Sequence, residues 1–337
     1  MKKILIYNVL LPLPFEQTFQ YAYSGIDRIA YGDFVSIPFK NKIISGCIWE
    51  NKSSLKKKIP IKKIKYIKRK LNFPPLSKEN REFINWVSNY TMNKQGQILK
   101  LTLGSKKILE KDDKKHPLEK LKIQKKGPKL TSEQETAKNF IFKEINQSKF
   151  STIVIDGVAG SGKTEGYFEA ICRVLEKKKQ VLVLLPEISM TTQWFDRFKK
   201  KFRTNPLLWH SDIKGSEKIK IWKSILEDNV NIVVGARSSL FLPFKNLGLI
   251  IIDEEHDQSF KQEEGIIYNA RDMAVVRAKI SNIPIILCSA TLSIETKLNV
   301  LERKYDVVKL KQAYGKAGLP EVKIIDLGKD PPDKGMW

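Results

Sequence analysis

The sequence predicts an α/β chain, with a parallel, helix-covered sheet over residues 129–315 preceded by a small β-rich unit over residues 1–104. Three observations carry this. From Leu130 onward, apolar runs at Ile153–Ile155, Val181–Leu185, Ile232–Val234, Leu249–Ile252 and Ile285–Cys288 alternate with amphipathic helical patterns. Unbroken apolar runs separated by helices belong to βαβ units whose strands are buried on both faces. Before them, short apolar or alternating runs at Ile4–Val9, Arg28–Ala30, Asp33–Ile37 and Ile43–Ile48 are spaced by Gly25, Gly32, Pro38 and Gly46, the texture of a small barrel or curled sheet. Between the two, two-thirds of residues 105–128 are Lys, Asp, Glu, Gln or Pro, which reads as a linker.

The remaining segments follow in chain order. Residues 52–70 are dense in lysine, with Ile59, Ile61, Ile64 and Ile67 interleaved. They are either a solvated face or an edge that contacts phosphates. Residues 77–104 have a helical pattern, with Ser77 as N-cap and Phe83, Ile84, Trp86 and Val87 on one face. Residues 316–337 end in a loop-like Pro331-Pro332 stretch.

Composition bounds the class. The chain has 337 residues, 42% of them hydrophobic and 29% charged, enough for about two packed domains. No run reaches the ~18 apolar residues of a membrane span, and Pro12, Pro14 and Glu16 interrupt the N-terminal apolar stretch before any signal-peptide cleavage site. Cys47, Cys172 and Cys288 are too few and too scattered for a disulfide framework or a four-thiolate zinc site, which fits a reducing compartment. The formal net charge is +24. Such an excess favours a polyanionic partner, nucleic acid or an anionic membrane surface. The alternative is a base composition that enriches Lys, Ile and Asn whatever the function.

The strand Ile153–Ile155 leads into Gly157-Val158-Ala159-Gly160-Ser161-Gly162-Lys163-Thr164, a complete phosphate-binding loop in strand-to-helix context. Glycines let the backbone wrap the phosphates, and N–H groups at the helix start face the anion. Lys163 is expected to reach the β- and γ-phosphates, and Thr164 to ligate magnesium. Leu249–Ile252 leads into Asp253-Glu254-Glu255-His256. Asp253 is expected to hold magnesium and Glu254 to orient or deprotonate the attacking water. Ser289-Ala290-Thr291 follows the last apolar run, where its hydroxyls can bond toward His256, so His256, Ser289 and Thr291 are expected to couple the nucleotide site to its neighbours. Gln134, at the start of the first helix, is either a contact to the adenine edge or an ordinary helix-start residue.

In order and spacing, the phosphate loop, Asp-Glu-Glu-His and Ser-Ala-Thr resemble lobe 1 of a superfamily 2 helicase. Leu185-Pro186-Glu187-Ile188, Trp209-His210-Ser211, Gly235–Phe241, the run Asp253–Gly265, Tyr268–Asp272, Leu11–Pro14 and Phe19-Gln20-Tyr21 narrow this to the PriA family of replication-restart helicases. The resemblance covers nearly the whole chain. It implies a RecA-like P-loop lobe after a 3′ DNA-binding domain, and ATP and Mg2+ as cofactors. It also implies 3′-to-5′ unwinding of stalled or forked DNA in the bacterial, nucleoid-associated cytoplasm. Its implied partners are single-stranded DNA, other primosome proteins, single-stranded DNA-binding protein and the replicative helicase loader. Arg237, the Leu185–Ile188 segment, Phe260, Tyr268, Arg271 and Gln20 would touch DNA, the aromatics by stacking; for Phe260 and Tyr268 the alternative is ordinary packing.

The chain departs from the family pattern at several places. Gln20 stands where the family carries Asp, Ile266-Ile267 replaces a more aromatic and basic pair, and a winged-helix domain is reduced to the charged linker. The chain is expected to be an N-terminal half: a fragment, a truncated product or one piece of a split protein. The arginine finger, the second lobe and the zinc-binding cysteines would then lie elsewhere, and the 337-residue chain would bind ATP without efficient unwinding. Two other classes compete: a fork-binding module that holds ATP without turning it over, and a different basic ATPase such as a restriction translocase.

Overall fold

A computed structural model of the chain describes residues 4–50, 64–104, 108–109, 130–186 and 191–313. Most of the 52–70 and 105–128 segments, Glu187-Ile188 and residues 316–337 lie outside the described residues.

The N-terminal unit is an antiparallel sheet of β1 (Leu5–Leu10), β2 (Phe19–Tyr23), β3 (Phe34–Phe39), β4 (Lys42–Ile48) and β5 (Arg69–Lys70), ordered β2-β1-β4-β3-β5. A tight turn through Lys40, at φ 50°, joins β3 to β4. Three of the expected strands form close to their expected limits, but Arg28–Ala30 is not a strand. The Asp33 carboxylate accepts the Ala30 N–H at 2.7 Å and pairs with Lys70 at 2.8 Å, so this segment turns into β3 instead of pairing. The expected helix over 77–104 is two helices, α1 (Lys78–Thr91) and α2 (Gln95–Leu103). Ser77 caps the first by accepting the Asn80 N–H, and Met92, left-handed at φ 53°, ends it.

The second unit alternates strands and helices. It runs through α3 (Ser132–Gln147), β6 (Ser151–Gly157), α4 (Lys163–Glu176), β7 (Gln180–Leu184), α5 (Thr192–Phe202), β8 (Leu207–Trp209), α6 (Gly215–Leu226) and β9 (Ile232–Gly235). It continues through β10 (Leu247–Asp253), the small hairpin β11 (Lys261–Gln262) and β12 (Tyr268–Asn269), then α7 (Ala270–Ser281), β13 (Pro284–Ser289), α8 (Ile294–Leu301) and β14 (Asp306–Leu310). The main sheet has the order β14-β6-β13-β10-β7-β9-β8, and every pairing in it is parallel. Side chains alternate across a strand, and the core divides accordingly. Ile153, Ile155, Val181, Val183 and Ile251 pack with α3, α4 and α5 on one face. Val154, Leu182, Leu184, Ile250 and Ile252 pack on the other with α6 and α7.

That second face does not stop at the sheet. Its core is continuous with Leu10, Phe34, Trp49, Phe83, Val87, Ile98 and Leu99 of the N-terminal unit. Polar ties cross the same boundary. The Trp222 indole donates to the Thr102 carbonyl at 2.7 Å, and Asn80 donates to the Phe244 carbonyl at 2.8 Å. Among the described residues, no helix is long and apolar enough to cross a membrane.

Candidate nucleotide and nucleic-acid site

The phosphate loop leaves β6 at the C-terminal edge of the parallel sheet and enters α4 at Lys163. Gly160 and Gly162 have φ of 74° and 82°, a region that side chains other than glycine avoid. A Cβ at Gly162 would stand 2.2 Å from the Gln134 amide nitrogen. Val158, Ala159 and Gly160 are exposed, whereas Ser161 is buried, and its hydroxyl oxygen has no hydrogen-bond partner among the described residues. The Lys163 ammonium folds back onto the Gly157 carbonyl at 2.9 Å. An orphaned buried hydroxyl, glycine-only backbone and a cation bonded, among the described residues, to its own loop fit a phosphate chain.

Gln134 lies against this loop and is 3% exposed. Its amide oxygen accepts the Thr131 N–H at 2.9 Å, and its amide nitrogen donates to the Ser161 carbonyl at 2.9 Å. In this arrangement Gln134 braces the loop; contact with a base would require those bonds to open.

Asp253 ends β10. Its Oδ2 accepts the Tyr167 hydroxyl at 2.8 Å, and its Oδ1 accepts the Glu254 N–H at 3.1 Å. Thr164 and Tyr167 are three residues apart on α4 and so share a face. The Tyr167 bond therefore sets Asp253 on the side of α4 where Thr164 also lies. Burial pushes the Asp253 carboxyl up to about 6, against the lowering pull of the Tyr167 hydrogen bond. Glu254 is held in the left-handed region at φ 50°, a strained conformation for a non-glycine residue. Its carboxylate is partly exposed and 3.6 Å from His256 Nδ1.

His256 Nδ1 also lies 2.7 Å from Ser289 Oγ. Ser289 Oγ accepts the Thr291 N–H at 3.0 Å and donates to the Thr291 carbonyl at 2.9 Å. The structure thus brings Glu254, His256, Ser289 and Thr291 into one chain of contacts, with Thr291 taking part through its backbone.

The residues expected at DNA separate into two groups. Arg237 is partly exposed and donates to the Ser259 and Lys261 carbonyls at 2.9 and 3.1 Å. It lines an open cleft of about 590 Å³ with His256, Gln258, Lys261 and Glu263. Gln20 is half-buried on β2, opposite Asn8 of β1. Phe260 and Tyr268, expected to stack on bases, are core residues instead, 2% and 6% exposed. Tyr268 packs edge-on against Phe241 with ring centroids 5.3 Å apart, so neither ring offers a free face. Arg271, expected to touch DNA, lines the same cleft as Arg237 but is paired there with carboxylates: Asp272 at 2.8 Å, Glu255 at 3.4 Å and Glu295 at 3.6 Å.

Glu255 is the residue that sequence reasoning passed over. It is 1% exposed and accepts the Ser293 N–H, the Ser293 hydroxyl and the Thr296 hydroxyl at 2.7, 3.0 and 2.9 Å. The available signal was a third consecutive acid directly after a buried strand.

A glycine loop at the strand ends of a parallel sheet, beside a strand-end acid pair, defines a P-loop nucleotide-binding lobe. Residues 131–300 match the DEAD/DEAH box helicase family and residues 8–104 match the 3′DNA-binding domain (3′BD). The chain belongs to the DEAD/DEAH box helicase family. It is 43% identical over 339 residues to replication restart protein PriA of Rickettsia conorii, covering 98% of this chain and 50% of that protein. It is 40% identical over 201 residues to the protein of the same name in Bacillus subtilis, covering 60% of this chain and 25% of that protein. The chain therefore spans about half the length, or less, of the curated relatives it matches. A solved structure of RecG bound to a three-way DNA junction aligns at 23% identity and TM-score 0.45, covering 58% of this chain and 27% of that one.

Proposed function

We propose that the chain provides the ATP-binding lobe and 3′ DNA-binding unit of a 3′-to-5′ replication-restart helicase acting at stalled or forked DNA. The observation that carries the reading is the phosphate loop joined through Tyr167 to the Asp253–Glu254 strand end, on a chain whose first 104 residues match a 3′DNA-binding domain. The relatives named replication restart protein PriA support the biological setting.

In this reading the Lys163 ammonium exchanges the Gly157 carbonyl for the β- and γ-phosphates, and the loop N–H groups and Ser161 hydroxyl complete the cradle. Thr164 and Asp253 would hold magnesium, which, when bound, neutralises charge on the phosphate oxygens. Glu254 orients water and accepts its proton. The Glu254–His256–Ser289 contacts transmit the state of this site toward the Arg237 cleft, where single-stranded DNA would run. The partners in this reading are forked and single-stranded DNA, other primosome proteins, single-stranded DNA-binding protein and the replicative helicase loader, in the bacterial cytoplasm.

The test is ATP turnover by the chain with and without forked DNA, beside Glu254→Gln. DNA-stimulated turnover abolished by Glu254→Gln, with nucleotide binding retained, is the expected result. Nucleotide binding with turnover indifferent to both DNA and Glu254 would overturn it.

A further inference from the structure

Three buried side chains connect α5 to the end of β10 in a fixed direction. The Tyr167 hydroxyl lies 2.7 Å from the Trp194 indole nitrogen and 2.8 Å from Asp253 Oδ2. An indole nitrogen can only donate, so the phenol oxygen accepts from Trp194 and spends its single proton on the carboxylate. Tyr167, Trp194 and Asp253 are 0%, 6% and 7% exposed, so water does not compete for these bonds. The other Asp253 oxygen accepts the Glu254 N–H, and with both oxygens engaged the plane of the carboxylate is set. The indole is itself immobilised, stacked on Phe198 at 5.4 Å and 24° and edge-on to Phe168 at 5.8 Å. Trp194 sits in the first turn of α5, three residues after its cap Thr191.

We infer that Tyr167 and Trp194 are positioning residues that aim Asp253 at its metal and tie that carboxylate to the first turn of α5. The inference rests on the nucleotide-site reading above. Groups that hydrogen-bond a metal-holding carboxylate orient it, and their loss costs roughly 10–100-fold in metal affinity or activity. Without the phenol proton, Asp253 keeps one bond and its plane is free to turn. Without the indole, the hydroxyl still reaches Asp253 but is no longer held from behind.

The experiment measures binding of a non-hydrolysable ATP analogue by the full chain, in EDTA and across a magnesium titration. Tyr167→Phe should leave binding in EDTA unchanged and raise the magnesium midpoint by roughly 10–100-fold. Trp194→Phe, which keeps the ring stack but removes the donor, should move the midpoint the same way by less. An unshifted magnesium midpoint in Tyr167→Phe would overturn the inference, as would equal losses with and without magnesium, the mark of general damage to the lobe. A wild-type chain that binds no analogue in either condition would instead overturn the nucleotide-site reading itself.

Discussion

Lys163 is held only by carbonyls of its own loop, Gly157 and Val158, in the described structure. Lys163→Ala should therefore leave the fold intact, since alanine suits the first turn of α4. Nucleotide binding should weaken by about 1.5–3 kcal/mol, the worth of a charge-assisted hydrogen bond, or roughly 10–100-fold. Calorimetric titration against an ATP analogue checks this; wild-type affinity in the variant would remove Lys163 from the site. The cysteines give a second residue-scale expectation. All three are free and buried, and burial pushes the Cys172 thiol up to about 11. Only the thiolate is alkylated, and a raised value keeps its fraction near one in a thousand at pH 8, rising about tenfold per pH unit toward 11. Iodoacetamide labelling followed by mass spectrometry should find the native chain slow to react and the denatured chain fast; rapid labelling of native Cys172 would contradict its placement. At this scale the sequence was legible where backbone geometry demands a residue type, as at Gly160 and Gly162, whose left-handed φ follows from the glycine pattern of the loop. It was not legible where the same type serves two ends. Phe260, Tyr268 and Arg271 read alike whether they face DNA or a core, and only their tertiary partners Phe241 and Glu255 decide.

Elements buried on both faces announced themselves. β6, β7, β9, β10 and β13 lie within the main sheet, and each shows as an unbroken apolar run. The two strands passed over, β8 and β14, are the sheet's edges and are only partly buried, so no such run marks them. β2 was hidden similarly, as an outer strand of the N-terminal sheet. How elements are fastened was less visible still. Glu255, at the exit of β10, holds the start of α8 through Ser293 and Thr296 and the start of α7 through Arg271. Glu255→Ala should destabilise the chain by about 1–3 kcal/mol, because it leaves the Ser293 N–H and the Ser293 and Thr296 hydroxyls without their acceptor while Arg271 keeps Asp272 and Glu295. Glu255→Gln keeps acceptors for the α8 hydroxyls and should cost less. Denaturant unfolding of the two variants gives the order; an Ala variant as stable as wild type would show that Glu255 fastens nothing.

Over the whole molecule, the charged segment 105–128 suggests two separable units, but the packing joins them. Phe34 and Phe73 meet Trp222 edge-on at 5.9 and 6.3 Å, and Phe83 lies against Phe241 at 5.7 Å. Arg277 of α7, 3% exposed, clamps this seam. It donates to the Leu240 and Leu242 carbonyls of the lobe and to Asn80 of α1 at 3.1 Å, between the rings of Phe83 and Phe244. No carboxylate pairs with it among the described residues, and burial lowers its guanidinium to about 9. Its charge is thus carried by carbonyl dipoles and ring faces from both sides of the boundary. The two units should therefore unfold together. Denaturation followed by amide protection of β4 in the N-terminal unit and of β10 in the lobe should give one coincident transition. Arg277→Ala should lower the midpoint of both signals together, by removing its hydrogen bonds to Leu240, Leu242 and Asn80. Residues 1–104 made alone would expose Phe34 and Phe83 and should be poorly soluble, so the proposed DNA binding is to be measured on the joined chain. There its fall with salt, linear in logarithms, counts the phosphates neutralised. Two separate transitions, with the β4 signal indifferent to Arg277→Ala, would show that the seam is a mere contact and that the N-terminal unit folds independently of the lobe it sits on.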